Sequence, residues 1–172
     1  MYTASPMAEK HWYAVYTRGR HEKTVYADLQ KRGIESFLPL RKAKHHWSDR
    51  IVTVEEPLFS SYVFMKINPQ NISDVLMIRG VVYVVSSGGI PIKIDESSIL
   101  SLQTLIREEL TVDPYPYLRE GDRVTISRGP LKGVRGYILR KNEKKFRLII
   151  SIDAIGASTS VSLDTHCVEK VF

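Results

Sequence analysis

Pro57-Leu58-Phe59-Ser60-Ser61-Tyr62-Val63-Phe64-Met65 places six apolar or aromatic side chains in nine positions. Such residues suit a β-strand. If residues 62–67 are extended, Tyr62, Phe64 and Lys66 share one face and Val63, Met65 and Ile67 the other. The aliphatic face reads as core. The second face carries two rings and then a lysine, and an apolar patch rimmed by charge marks a surface that meets a partner. A strand buried on both faces is the alternative, and these residues alone do not choose between the two.

On the N-terminal side, His11-Trp12-Tyr13-Ala14-Val15-Tyr16-Thr17 reads as a first strand, with Trp12, Ala14 and Tyr16 on one face and Tyr13 and Val15 on the other. From about Arg20 the period changes: Val25, Leu29 and Arg32 form a helical stripe that Gly33 closes. Residues 34–40 read as a second strand. The basic segment from Arg41 to Arg50 and the alternating Ile51-Val52-Thr53-Val54 suggest a long hairpin with its tip near Ser48-Asp49. Beyond Met65, Asn68-Pro69 signals a helix start, Val81 to Val85 a short strand, Ser86-Ser87-Gly88-Gly89 a loop and Asp95 the N-cap of a helix carrying Ile99, Leu102 and Ile106. The pattern implies an α+β first domain, helices against an antiparallel sheet.

The two prolines in residues 111–119 forbid a helix interior and favour an extended connector, so the domain boundary is placed there. Strands are expected at 123–127, 134–141, 145–152, 159–163 and 167–171, with glycines at the corners, which suggests a small all-β barrel. The division is thus a frayed lead-in at 1–9, a first domain at 10–110, a linker at 111–119 and a barrel at 120–172.

The chain has 25 basic and 19 acidic residues, a net of +6. The surplus is uneven: residues 1–110 hold 14 basic and 12 acidic side chains, and residues 111–172 hold 11 and 7. That balance suits nucleic acid or an acidic surface, and equally a solvated face. The lone Cys167 forms no internal disulfide and suggests no metal framework. No charged-then-apolar leader and no apolar run of about 18 residues is present, so the chain reads as cytoplasmic and without membrane contact. Enzyme readings fail for want of an assembled acid–base or nucleophile set. Adjacent histidines such as His45-His46 point to opposite strand faces, as do His166 and Cys167, and Ser86-Ser87-Gly88-Gly89 lacks the strand–loop–helix setting of a phosphate loop. No catalytic residue, metal or cofactor is expected.

Gly121-Asp122-Arg123-Val124-Thr125-Ile126, Gly129-Pro130-Leu131-Lys132-Gly133 and Gly136-Tyr137-Ile138 together resemble a KOW motif, whose glycines permit bends that a side chain would block. His11 to Thr17, His21-Glu22-Lys23, Pro57-Leu58-Phe59 with Tyr62-Val63-Phe64, and Arg79-Gly80-Val81 resemble, in order, the NusG N-terminal domain. The chain therefore resembles the NusG family of transcription elongation and antitermination factors, and its specialised UpxY and RfaH paralogues in particular. The resemblance implies an SH3-like KOW barrel after an NGN domain. It implies a first domain that docks on the clamp helices of the largest RNA polymerase subunit and suppresses pausing or termination, at an operon such as one for polysaccharide synthesis.

By motif, the polymerase-docking residues are Tyr16, Phe59, Tyr62 and Phe64, with Ile90 and Pro91 at the edge. On this reading, loss of Phe64 or Tyr62 abolishes binding and leaves the fold intact. Arg18, Arg20, His21 and Lys23, joined by Arg79, form a basic corner that faces the non-template DNA strand, although Gly19 stands where the RfaH pattern has a base. Nascent RNA is the other nucleic acid implied. In the barrel, Leu131 and Ile155 occupy the partner-binding places. The segment Ile155-Gly156-Ala157-Ser158-Thr159 lacks the arginine expected after glycine, which argues against Rho and leaves a small-subunit ribosomal protein as partner. The rival reading is an RNA-binding or ribosome-associated KOW protein with no polymerase contact.

Overall fold

The structure is a computed structural model and describes residues 9–115, 121–142 and 145–164. From the N-terminus come β1 (His11–Thr17), α1 (Glu22–Lys31), β2 (Glu35–Phe37), β3 (Leu40–His46), β4 (Ile51–Pro57) and β5 (Tyr62–Ile67). After a 3-10 turn at Pro69–Asn71 follow α2 (Ile72–Leu76), β6 (Val81–Val84), β7 (Ser86–Ser87), β8 (Ile90–Pro91) and α3 (Glu96–Arg107). Then come β9 (Asp113–Tyr115), β10 (Asp122–Thr125), β11 (Arg135–Asn142), β12 (Lys145–Ile152) and, after a 3-10 turn at Asp153–Ile155, β13 (Ala157–Asp164). These elements form two compact units, residues 9–38 with 60–94 and residues 39–59 with those from 95 onward.

The first unit is built on an antiparallel sheet in the order β2-β5-β1-β6. Its register sets Trp12 opposite Lys66, Ala14 opposite Phe64 and Tyr16 opposite Tyr62, so the expected faces of the two central strands coincide. β2 adds Phe37 beside Phe64 and β6 adds Tyr83 beside Tyr16. α1 packs against β2 and β5, and α2 against β6. Val25 and Leu29 are fully buried on the stripe read from the sequence. Gly33, at φ +71°, ends α1: its N–H reaches Gln30 O at 2.9 Å and the next N–H, of Ile34, reaches Leu29 O at 3.0 Å. Asn68 accepts the Gln70 N–H through Oδ1 at 3.0 Å, the helix-start signal at work. Only three of residues 34–40 extend the sheet, because Pro39 has no N–H to offer a ladder. Ser86-Ser87-Gly88-Gly89, expected as a loop, and the extended Ile90-Pro91 after it close a two-residue ladder, with Gly88 and Gly89 supplying φ of +57° and +79° at its turn.

The second unit contains the hairpin β3–β4, helix α3 and an antiparallel sheet in the order β10-β11-β12-β13-β9. The hairpin turns between Trp47 and Arg50, whose N–H···O contact is 2.8 Å. In the sheet, Val124, Ile138, Leu148, Ile150 and Val161 are buried and share one face. α3 packs against β11 and β12, and the Arg135 N–H donates to Ser101 Oγ at 3.0 Å.

Two expectations change. The connector at 111–119 is not free of structure: Asp113–Tyr115 pairs with β13, which an edge strand containing proline can do. The hairpin and α3, expected in the first domain, pack within the second unit. The strand expected at 167–171 lies outside the described residues.

Candidate functional site

The sheet of the first unit collects three tyrosines from three strands. The Tyr16 ring meets Tyr62 edge-on at 5.3 Å and stacks on Tyr83 at 4.8 Å with 15° between planes. Both geometries favour aromatic pairs. Tyr16 and Tyr62 are half-buried and Tyr83 is 46 % exposed. Burial raises the Tyr62 hydroxyl above its ordinary pKa, and the neighbouring Tyr83 and Tyr16 raise it further. The Tyr62 hydroxyl therefore stays protonated and uncharged at neutral pH.

Phe64, read as a docking ring, is fully buried. Small Ala14 lies opposite it in β1, and Phe37 stacks on it at 6.3 Å. Phe59, in the second unit, is 5 % exposed. These two rings are thus packing residues of the chain and are not presented to a partner. Of the edge residues, Ile90 stands 73 % exposed and Pro91 is half-buried at the β7–β8 turn. Tyr83 was missed from the sequence, since Val81-Val82-Tyr83-Val84 has the texture of a buried strand. The available signal was its position in the strand that follows Arg79-Gly80.

The basic corner is assembled from two distant segments. The Arg18 N–H donates to Gly80 O at 2.8 Å, which brings Arg79 to the start of α1. Gly80 has φ +100°, and a Cβ there would meet the His21 Cδ2 at 3.0 Å and Val25 Cγ2 at 3.2 Å, so His21 packs directly on this glycine. Arg20 holds φ +64°, an uncommon conformation for a side-chain-bearing residue. Arg18, Arg20, Lys23 and Arg79 are exposed and His21 is half-buried. Among the described residues no ion pair engages Arg18, Arg20 or Arg79.

Between the rings and the cations sits Glu22, only 6 % exposed. Its Oε1 accepts the Ser61 N–H at 2.8 Å, and Ser61 O accepts the Thr17 N–H at 2.8 Å. Ser61 is itself at φ +66°. This carboxylate pins the turn ahead of β5 to the end of β1 and the start of α1, and so fixes where Tyr62 stands.

In the second unit, Leu131 is 6 % exposed in the turn after β10, so of the two partner-binding places it is a packing residue, while Ile155 is half-buried in its 3-10 turn. Among the described residues no group of His, Cys, Asp and Glu has the arrangement of a metal site, and no helix is long and apolar enough to cross a membrane.

The fold is thus a mixed α/β first part followed by a sheet-rich second part. Residues 10–103 match the family model described as transcription termination factor NusG, a stretch that includes the hairpin and α3 up to residue 103. The chain is 27 % identical to the transcription termination/antitermination protein NusG of Rickettsia typhi, over 97 % of its own length and 93 % of the relative's. It is 23 % identical to the protein of the same description from Borreliella burgdorferi, over 93 % and 98 %. Among solved structures, that of Thermotoga maritima NusG shares the fold with a TM-score of 0.55 at 24 % identity, covering 95 % of this chain and 98 % of that one. The chain belongs to the NusG family of transcription termination/antitermination factors.

Proposed function

We propose that the chain is a specialised member of the family that docks on the clamp-helices coiled coil of the largest RNA polymerase subunit and suppresses pausing or termination. The observation that carries this reading is the partly exposed Tyr16–Tyr62–Tyr83 cluster on an otherwise packed sheet. Tyrosine offers a large, rigid contact area with few torsions to freeze, which is why it anchors interfaces. Ile90 and Pro91 form the edge of the docking surface, while Phe64 supports it from within. The basic corner of Arg18, Arg20, His21, Lys23 and Arg79 then meets the non-template DNA strand, its guanidinium groups pairing with phosphate and stacking on bases.

The sheet of the second unit, from β10 to β13, is read as the KOW barrel. Its partner is a small-subunit ribosomal protein, met at Ile155. The likeness of the motifs to UpxY and RfaH types favours service at a dedicated operon, such as one for polysaccharide synthesis, in the cytoplasm.

The experiment is binding of purified chain to an isolated clamp-helices fragment by calorimetry. The expected result is binding that Tyr62→Ala and Tyr83→Ala each weaken at least tenfold, the scale of an interface anchor, with unchanged circular dichroism. Absence of binding by the folded wild-type chain would favour the ribosome-associated alternative.

A further inference from the structure

The basic corner stands where β1 ends, and a second cationic site stands where β1 begins. Four segments of the first unit, distant in sequence, line an open cavity of about 390 Å³ there. Lys10 precedes β1, residues 32–34 follow α1, residues 66–68 close β5, and Asp74 and Met77 come from α2 and its C-terminal end. The lining carries three cations, Lys10, Arg32 and Lys66, against one carboxylate, Asp74. Lys66 stands opposite Glu35 in the β2–β5 ladder, while among the described residues no ion pair engages Lys10 or Arg32. The Arg32 Nη1 donates to the backbone O of Asp74 at 3.4 Å, which ties the end of α1 to α2 across the cavity. The N–H groups of Arg32, Gly33 and Ile34 take up carbonyls of the last turns of α1, so the helix end offers the cavity little negative charge. Met77 is 80 % exposed, the most exposed large apolar side chain among the described residues.

We infer that this cavity binds a ribonucleoside triphosphate. Its volume lies in the range that takes small ligands. Three positive groups around one opening select an anion of several charges, and a chain of phosphates spreads such charge over enough length to meet cations on separate segments. The Arg32 guanidinium can engage two phosphate oxygens at once, and Lys10 and Lys66 act as point charges on flexible stems. Ile34 and Met77, the apolar part of the lining, give the base a surface to lie on, and a thioether suits the edge of an aromatic ring. The carboxylate of Asp74 would repel a bare polyphosphate. Its place in the lining is explained by the ribose, whose hydroxyls donate to an acidic side chain in nucleotide sites of other folds. Asp74 thus makes a cationic cavity selective for a ribonucleotide over a deoxynucleotide or an inorganic phosphate chain. No residue of the cavity belongs to the tyrosine cluster or the basic corner, so this site stands apart from polymerase docking.

The test is calorimetric titration of the full chain, without polymerase, with ATP, GTP, their deoxy counterparts and inorganic tripolyphosphate. The expected result is saturable one-to-one binding of ATP or GTP. It should be at least about tenfold tighter than binding of the matching deoxynucleotide or of tripolyphosphate, the worth of one charge-assisted hydrogen bond. Arg32→Gln should weaken nucleotide binding about 10- to 150-fold, and Met77→Ala about 2- to 10-fold. Asp74→Asn should abolish the preference for ribose. Arg18→Gln with Arg20→Gln, at the other basic site, should leave the affinity unchanged, and circular dichroism confirms that each variant is folded. Tripolyphosphate or a deoxynucleotide bound as tightly as ATP and GTP, binding that survives Arg32→Gln combined with Lys10→Gln, or no binding at millimolar nucleotide would each overturn the inference.

Discussion

Phe64 and Tyr62 stand two residues apart on one strand face, yet their replacement by alanine should have opposite consequences. Phe64 is fully buried against Phe37 and opposite Ala14. Neither neighbour is able to fill the space a lost ring leaves, so Phe64→Ala should cost about 3–5 kcal/mol. For a chain of this size that is a drop of roughly 6–20 °C in melting temperature. Tyr62 is half-buried, and its distinctive contact is the edge-on one with Tyr16, so Tyr62→Ala should cost only about 1 kcal/mol beyond its modest loss of burial. Thermal unfolding followed by circular dichroism measures both. At a temperature where each variant is folded, Tyr62→Ala should lose clamp-helix binding and Phe64→Ala should retain it. A Phe64→Ala protein as stable as the wild type would refute the reasoning, because it would mean that the ring contributes no packing.

Glu22→Ala should remove a charge-assisted hydrogen bond and leave the Ser61 N–H without its acceptor, a loss of about 1.5–3 kcal/mol, measurable by urea titration. Gly136→Ala should prevent the second unit from folding, since an added Cβ would overlap the Ile149 carbonyl oxygen in the adjacent strand; the reading is loss of amide protection in β11 and β12 by hydrogen exchange. Glu56 has its carboxyl pKa lowered, first by the hydrogen bond from His45 and then by Arg41. A depressed folded-state pKa contributes stability that is present above the ordinary value of 4.5 and lost as the pH falls through the folded value. The acid limb of a melting-temperature profile below about pH 4.5 should therefore be shallower in Glu56→Gln than in the wild type.

Much of residues 10–67 was legible because the signals there are local. Alternation fixed β1 and β5 and their shared faces, the Val25–Leu29 stripe with Gly33 fixed α1, and the tip of the hairpin fell within Trp47 to Arg50, beside Ser48-Asp49. What was not legible depends on neighbours distant in sequence. Phe64 is packed by Phe37 from β2, so an aromatic face that alternation alone leaves open is closed at one end and accessible at Tyr16, Tyr62 and Tyr83. Arg79 reaches the basic corner through the backbone contact of Gly80 with Arg18, which residue types do not reveal. β9 escaped notice because a three-residue strand containing Pro114 is tolerated only at a sheet edge, and the sequence does not say which strand is the edge. Leu131 carries the right apolar character for a partner contact, but its turn folds it inward.

The docking claim meets its most direct trial in site-specific crosslinking. A photoreactive benzoylphenylalanine replaces Tyr83, the most exposed of the three rings, and the chain is irradiated in complex with purified RNA polymerase. A crosslink that maps to the clamp helices of the largest subunit is the expected result. A crosslink to another part of the polymerase, or none from a folded and bound chain, would contradict it.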